Sequence, residues 1–151
     1  MNLVLADGRQ SEAALGIARG SRRLLRALGY STLTELGLSD GRRADIVGLS
    51  ADGTILIVEV KSSIADFRAD RKWRDYAAHC DLLYFAISDA TPAGIMPEEA
   101  GLILADRFGA AMLREPERRA LAPATRRAMM LRFACAAADR LHRLADPETE
   151  G

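Results

Sequence analysis

Two carboxylates and a lysine stand where the sequence predicts the ends of neighbouring β-strands. Asp45 lies in the extended segment 43–49, and Glu59 and Lys61 close the apolar segment 54–61. Because side chains alternate along a strand, Glu59 and Lys61 point to the same face of the sheet. Charged groups at the end of an apolar strand are costly to remove from water. The pattern therefore indicates either a functional site or a network of structural ion pairs.

The turn between these two strands brings Asp45 beside Glu59. The residues Ala51-Asp52-Gly53 are typical of a hairpin loop with glycine in the left-handed conformation. This loop pairs Ser50 with Thr54 and so predicts that Asp45 lies opposite Glu59. A loop longer or shorter by one residue would shift that register.

Two neighbouring carboxylates and a lysine can carry out metal-assisted chemistry. Close carboxylates repel one another, and a divalent cation relieves the repulsion. Mg²⁺ or Mn²⁺ could bind Asp45, Glu59 and the carbonyl of Val60, because Mg²⁺ prefers oxygen ligands and keeps several waters. A bound metal activates water and neutralises charge on a phosphate. Lys61 could orient that water or stabilise the transition state. These are the requirements of phosphodiester hydrolysis.

The surrounding segments predict an α/β domain with a mixed central sheet flanked by helices. Ser11 and Ser63 are typical helix N-caps, and Pro123 marks a break in the last helical region. The expected helices are 11–28, 64–79 and 116–144, and the expected strands are 31–38, 43–49, 54–61, 82–88, 102–105 and 110–114. Trp73, Tyr76, Ala77 and Cys80 recur at helical spacing, which predicts that they face the sheet.

Length and composition indicate one ordinary globular domain. The chain has 151 residues, 49% hydrophobic and 28% charged. We expect a single domain at 1–146 and an acidic, flexible tail at 147–151. No apolar run approaches the roughly 20 residues needed to cross a bilayer, and the N-terminus lacks the pattern of a secretory signal. Two cysteines are too few for a disulfide scaffold. These features predict a cytoplasmic protein with no membrane partner.

The net charge is zero, yet the charges are unevenly distributed. Residues 44–106 carry five basic and eleven acidic side chains, whereas residues 107–143 carry nine arginines and three acids. An acidic middle between basic ends is typical of a metal site flanked by phosphate-binding surfaces, although solvated helix faces would give the same pattern. The candidate nucleic-acid contacts are Arg42, Arg43, Ser62, Arg118, Arg119, Arg126 and Arg127.

Asp45 followed by Glu59-Val60-Lys61 resembles the PD-(D/E)xK nuclease superfamily. The order of elements is also similar: a helix, a strand with the aspartate, a hairpin, a strand ending in Glu-x-Lys, and a helix. This resemblance implies a restriction-endonuclease-like fold, with Asp45 and Glu59 as metal ligands and Lys61 as a catalytic residue. The sequence departs from the motif at Ala44, where the motif has proline.

The helix after the core motif resembles an element found in some members of that superfamily. Lys72 and Tyr76 match its Gln/Lys-xxx-Tyr pattern, which implies a supporting catalytic role. At i and i+4 of a helix, both side chains would lie on one face and could approach the site together.

Longer runs resemble the MmcB-like DNA repair proteins of bacteria. The matching runs are 34–36, 41–45, 58–63, 66–73, 80–81 and 101–107. The resemblance implies a role in DNA repair, a nuclease-like core and DNA as a partner, with a repair-complex protein or a second copy of the chain as a further partner.

Several acidic residues remain as alternatives around the core motif. Glu35 could add a third metal-binding carboxylate if its strand lies beside Asp45, and Glu12 on the first helix ranks below it. Asp66 is typical of a helix cap, and Asp70 of a surface ion pair. The first functional hypothesis is a metal-dependent nuclease. The second is a catalytically weak module that binds DNA or a partner, and the third is a structural subunit of a complex.

Overall fold

The computed structural model describes residues 11–149. Its helices are α1 (Glu12–Ala27), α2 (Ile64–Ala69) and α3 (Pro123–Ala145). Its strands are β1 (Tyr30–Gly37), β2 (Arg43–Ser50), β3 (Ile55–Val60), β4 (Leu82–Ile87), β5 (Gly101–Ala105) and β6 (Ala110–Arg114). Short 3-10 helices occupy Trp73–His79, Ala93–Ile95 and Pro147–Thr149.

The strands form one mixed six-stranded sheet in the order β1-β2-β3-β4-β5-β6. β3 and β4 pair in parallel, as do β4 and β5, whereas the other neighbours are antiparallel. All residues of β3 and β4 are buried, as expected for central strands covered on both faces. The prediction of a mixed sheet flanked by helices in an α/β domain is confirmed.

Helices cover the two faces of the sheet separately. On one face α1 contributes Ile17 and Leu25 to a core with Leu56, Val58 and Tyr84. On the other face lies a second core, which contains the following side chains from the sheet, the 3-10 segment and α3: Val47, Ile57, Phe85, Trp73, Met129 and Phe133. The alternation of side chains along β3 thus divides the apolar residues between two cores.

The hairpin between β2 and β3 has the predicted loop and register. Gly53 has a φ of 87°, which favours glycine because a side chain would strain this conformation. The N–H of Ser50 donates to the carbonyl of Thr54 at 3.0 Å. The Cα partners run from Leu49–Ile55 to Ile46–Val58, and the same register continued sets Asp45 opposite Glu59.

The predicted continuous helix over 64–79 is wrong. Ser63 caps α2 as expected, but α2 ends at Ala69, and a separate 3-10 helix begins at Trp73. Asp70 lies at the break, where its Oδ1 accepts from the N–H of Lys72 at 3.0 Å. A carboxylate that bonds nearby backbone in this way competes with the helical hydrogen-bond ladder.

The last helical region also starts later than predicted. Pro123 begins α3 rather than interrupting it, because proline fits the first turn of a helix. The preceding segment 116–122 is irregular. It is tied to Asp81, whose carbonyl accepts from the N–H of Arg119 and whose Oδ1 accepts from the N–H of Leu121.

The helices were compared with the length and hydrophobicity needed to span a membrane, and the C-terminal tail with its predicted bounds. Within residues 11–149, no helix is long and apolar enough to cross a membrane. The proposed tail at 147–151 begins in the 3-10 helix Pro147–Thr149, and its last two residues lie outside the described part. The boundary at 146 stays a prediction.

Candidate active site

Asp45 and Glu59 form an acid pair where β2 and β3 stop pairing through their backbones. Beyond the Ile46–Val58 partners, the N–H of Asp45 donates to Oε2 of Glu59 at 2.9 Å. The N–H of Val60 donates to Oδ2 of Asp45 at 2.8 Å. Each carboxylate therefore replaces a ladder acceptor on the opposite strand, which holds both groups at the end of β3.

Burial dominates the electrostatics of the acid pair. Burial, followed by the charge of Asp45, raises the pKa of Glu59 to about 9. Burial also raises the pKa of Asp45. Two carboxyl groups this close cannot both ionise easily, so the pair retains a proton at neutral pH. A bound cation would offset the cost of ionising both carboxyl groups.

Lys61 lies beside the acid pair but is bound elsewhere. Its side chain is 8% exposed, and its Nζ lies 2.7 Å from Oδ2 of Asp70. Its charge lowers the pKa of both Glu59 and Asp45, yet less than burial raises each. Asp70 therefore fixes the lysine next to the pair while leaving the carboxylates without an ionic partner.

Tyr76 reaches the site, whereas Lys72 does not share its helical face. The Tyr76 hydroxyl donates to the carbonyl of Arg43 at 3.4 Å. Burial, followed by the charge of Glu59, raises the pKa of Tyr76. Lys72 is exposed and precedes a 3-10 helix, so the i, i+4 placement expected for an α-helix is absent. Its catalytic role stays a prediction.

Glu35 lies on the edge strand beside Asp45 but is bound to Arg43. Their side chains approach to 2.6 Å, and Arg43 remains 63% exposed. Glu35 has a φ of 53°, the left-handed region that non-glycine residues rarely adopt. Arg140 of α3 donates to the carbonyls of Thr34 and Glu35 at 2.6 and 3.0 Å. This clamp from α3 supports a strained backbone at the rim of the site.

The donor set fits a small, hard cation held by few protein ligands. Among residues 11–149, no three acidic, histidine or cysteine side chains converge on one point. The two carboxylates of the acid pair are enough for Mg²⁺, because proteins commonly hold Mg²⁺ through one or two carboxylates and several waters. Glu35 as a third ligand stays a prediction, as does the carbonyl of Val60.

The predicted nucleic-acid contacts do not form one surface. Arg42 is bound to Asp40 and Asp75, and the N–H of Ser62 donates to Asp66 at 3.1 Å. The four C-terminal candidates lie near the hairpin loop or on the start of α3. Arg118 donates to the hydroxyl of Thr54, and Arg126 donates to the carbonyl of Gly53 and to Asp81. Arg119 and Arg127 are exposed. β3 runs about 20 Å between that loop and the acid pair.

A second buried carboxylate occupies the opposite end of β3. The side chain of Asp81 is fully buried, and Arg126 donates to both of its oxygens at 2.7 Å. The N–H groups of Ile55 and Leu121 donate to it as well, at 2.8 and 2.9 Å. Burial alone would raise the pKa of Asp81, but these bonds lower it to about 2.

Sequence reasoning missed three residues that organise these sites. Asp70 was expected to be a surface ion pair, Arg140 had no assigned role, and Arg126 was assigned to nucleic acid. The sequence signal for the Lys61–Asp70 ion pair is the separation of nine positions between the two residues. This separation allows contact if the helix between them is short. Glu12, the alternative acid, lies on α1, which covers the opposite face of the sheet.

Comparison with known proteins decides the family. The model of the MmcB-like DNA repair protein family matches residues 1–148. The chain belongs to this family. The MmcB-like family assignment confirms the predicted resemblance and a role in DNA repair. The order of elements around the acid pair also matches what the resemblance to PD-(D/E)xK nucleases implies.

Solved structures show the same fold in another protein. A protein of unknown function from Silicibacter pomeroyi is 40% identical, has a TM-score of 0.90, and the match covers 95% of this MmcB-like chain and 98% of that one. A repair endonuclease from Pyrococcus abyssi is 16% identical with a TM-score of 0.37, covering 57% and 41% of the two chains, which is too distant to inform the site. No curated protein matches the chain.

Proposed function

We propose that this protein is a metal-dependent nuclease of DNA repair that hydrolyses DNA phosphodiester bonds at the acid pair. One observation carries the proposal: Glu59 is buried and Asp45 is half-buried, and within residues 11–149 no arginine or lysine is bound to either carboxyl group. Their raised pKa values reflect this uncompensated burial. Binding a divalent cation would offset the cost of ionising both carboxylates.

Each residue of the site has a distinct task in this proposal. Asp45 and Glu59 would hold Mg²⁺ or Mn²⁺, which when bound supplies an activated water and neutralises phosphate charge. Lys61, fixed by Asp70, would orient the attacking water or stabilise the charge that develops on the phosphate. Tyr76, whose hydroxyl donates to the carbonyl of Arg43, would hold the backbone beside the acid pair. The exposed Arg43 side chain would contact a phosphate next to the scissile one.

Metal binding tests the proposal before any cleavage is measured. Titration calorimetry with Mg²⁺ and Mn²⁺ should detect a site in the wild-type protein and lose it in Glu59→Gln. Glutamine matches the shape of the protonated glutamate, so this variant should fold. Glu98→Gln, an exposed acid elsewhere, is the matched control and should bind metal normally. Equal metal affinity in wild type and Glu59→Gln would exclude the acid pair as the site.

Cleavage is then measured on branched, nicked and single-stranded DNA with either metal. We expect at least one substrate to be cut by the wild-type protein and none by Glu59→Gln. If no substrate is cut although metal and DNA both bind, the protein is the DNA-binding or partner-binding module of the second hypothesis, and its DNA repair role stands without the enzyme.

A further inference from the structure

A basic groove runs along the edge of the sheet on the face covered by α1. Its walls are α1 and β1, and its volume is about 1040 Å³. We define the α1–β1 groove by Arg19, Arg22, Arg23 and Arg26 on the helix, and by the strand segment from Tyr30 to Glu35. Thr32 and Thr34 place hydroxyl groups along it, on the same face of β1 as Tyr30. The groove is thus positively charged and lined with hydrogen-bonding groups.

The arginines of the groove are not neutralised by the described part of the chain. Within residues 11–149, none of the four forms an ion pair with a carboxylate. Arg22 donates to Oγ1 of Thr32 at 3.0 Å, and Arg23 to the carbonyl of Phe108 at 2.9 Å. Both side chains are therefore oriented by neutral partners and keep their full charge. Arg19 and Arg26 are exposed.

The α1–β1 groove ends at the sheet edge near Glu35, and the acid pair lies on the other face of the sheet, with Ile57 and Val47. Glu35 lines the groove and lies opposite Asp45 across the β1–β2 ladder, between the partners Thr34–Ile46 and Leu36–Ala44. The charge of Glu35 also acts on the carboxyl group of Asp45. Arg43, bound to Glu35, continues the row of positive charge from the groove to the rim of the site.

We propose that the α1–β1 groove binds the phosphodiester backbone of a DNA strand, which crosses the sheet edge at Glu35 and Arg43 to reach the acid pair on the other face. This inference rests on the proposed function for its destination, but the binding itself does not require metal or cleavage. Arginines spaced along one helix face match the repeating negative charge of such a backbone. The hydroxyls of β1 add neutral donors to phosphate oxygens. Contacts of this kind bind DNA without reading its sequence.

The experiment measures DNA binding in EDTA, where no metal-dependent cleavage occurs. The test variant is Arg19→Ala/Arg26→Ala, which removes two guanidinium groups that the fold does not use. Arg74→Ala/Arg107→Ala removes two arginines outside the groove and is the matched control. Affinity is measured against salt concentration for a single-stranded oligonucleotide and for the duplex of the same sequence.

We expect the groove variant to lower the slope of log affinity against log salt by about 1.4 for the single strand or about 1.8 for the duplex. The control should keep the wild-type slope, and the substrate with the larger change identifies which form occupies the groove. An unchanged slope for both forms of DNA would overturn the inference. Because no metal is present, loss of metal binding or cleavage elsewhere leaves this result unaffected.

A cross-linking measurement locates the DNA independently. In a Cys135→Ser background, Thr34→Cys carries a photoreactive maleimide inside the groove, and Glu98→Cys carries it outside. Bound oligonucleotide should cross-link to the label at 34 and not to the label at 98. Cross-linking at 98 alone would place the DNA on another surface and overturn the inference.

Discussion

The two ends of β3 carry carboxyl groups that are compensated in opposite ways: Asp81 and Glu59 are buried, and Asp45 is half-buried. At the start of the strand, Asp81 receives both guanidinium nitrogens of Arg126 and two backbone N–H groups, and its pKa falls to about 2. At the other end, Asp45 and Glu59 each accept one backbone N–H, and within residues 11–149 neither binds a cationic side chain. Their pKa values rise because burial is not offset.

This difference in compensation distinguishes Asp81, which has a structural role, from the acid pair, which we assign a functional role. An ionised group in the interior requires a partner of opposite charge. Asp81 has its partner within the chain and fastens the hairpin, β4 and the segment before α3 together. The acid pair has none, because the nearest ammonium, Lys61, is bound to Asp70. Carboxyl groups removed from water and bound to no cationic side chain are suited to bind a metal cation.

The largest expected effect is on stability, at the Asp81 end. Arg126→Ala should lower the free energy of unfolding by about 3–5 kcal/mol, because it leaves a buried carboxylate without its cation. Urea denaturation measures this, and Arg127→Ala, the exposed neighbour, should change stability by less than about 0.5 kcal/mol. A loss of unfolding free energy as small as that of Arg127→Ala would mean that Arg126 does not stabilise the buried charge of Asp81. The proposed contrast between the two ends of β3 would then be wrong.

The next effect is on chemistry, at the acid-pair end. Lys61→Ala should reduce cleavage by ~100-fold or more, since it removes the charge placed to assist the attacking water. Metal affinity should be retained, because both carboxylates remain. Arg71→Ala, an exposed cation beside Asp70, serves as the control for nonspecific charge loss. Full activity in a folded Lys61→Ala protein would assign the lysine to structure alone.

The pH dependence of stability should have opposite signs at the two ends. The folded pKa of Asp81 is about 2, below the ordinary 3.8, so its ionisation stabilises the fold above pH 4. That stabilisation, about 2 kcal/mol, is lost as the pH falls from 4 to 2. Arg126→Ala should remove most of it in acid denaturation curves.

For the acid pair the sign reverses, because the folded protein binds the proton more tightly than the unfolded chain. The pKa of Glu59 rises from 4.5 to about 9, so the metal-free protein should lose stability as the pH rises through this window. Thermal melts from pH 5 to 9 should show the decline in wild type and not in Glu59→Gln. Saturating Mg²⁺ should oppose it by binding the ionised pair. A flat wild-type profile would show that the pair does not retain a proton.

The smallest expected effect concerns the residue that positions Lys61. Asp70→Asn should lower the cleavage rate by about tenfold, roughly the 1.4 kcal/mol of one moderate interaction. Because the buried ammonium loses its counter-ion, the alkaline limb of the pH–rate profile should move to lower pH. Asp70→Glu, which restores the charge, should recover part of the rate. A lower rate with an unshifted profile in Asp70→Asn would indicate a purely structural role for Asp70.

The sequence by itself determined the features that depend on residues close along the chain. Ser11 and Ser63 cap helices as expected, since a cap bonds an N–H only three residues away. Gly53 fixed the hairpin loop, and the loop fixed the register that sets Asp45 opposite Glu59. Alternation along β3 placed Glu59 and Lys61 on one face. The hairpin and the shared face of Glu59 and Lys61 followed from these local rules.

Only the tertiary structure decided which cation meets which carboxylate. Asp81 and Arg126 are separated by 45 positions, and a chain with 21 basic and 21 acidic residues offers many alternative pairs. The end of α2 at Ala69 brought Asp70 to Lys61, and packing of α3 brought Arg140 to the backbone of Glu35. Pairing energy depends on distance and burial, and neither is set by spacing in the sequence. For that reason Arg126 belongs to the interior, and the acid pair remains without a cation.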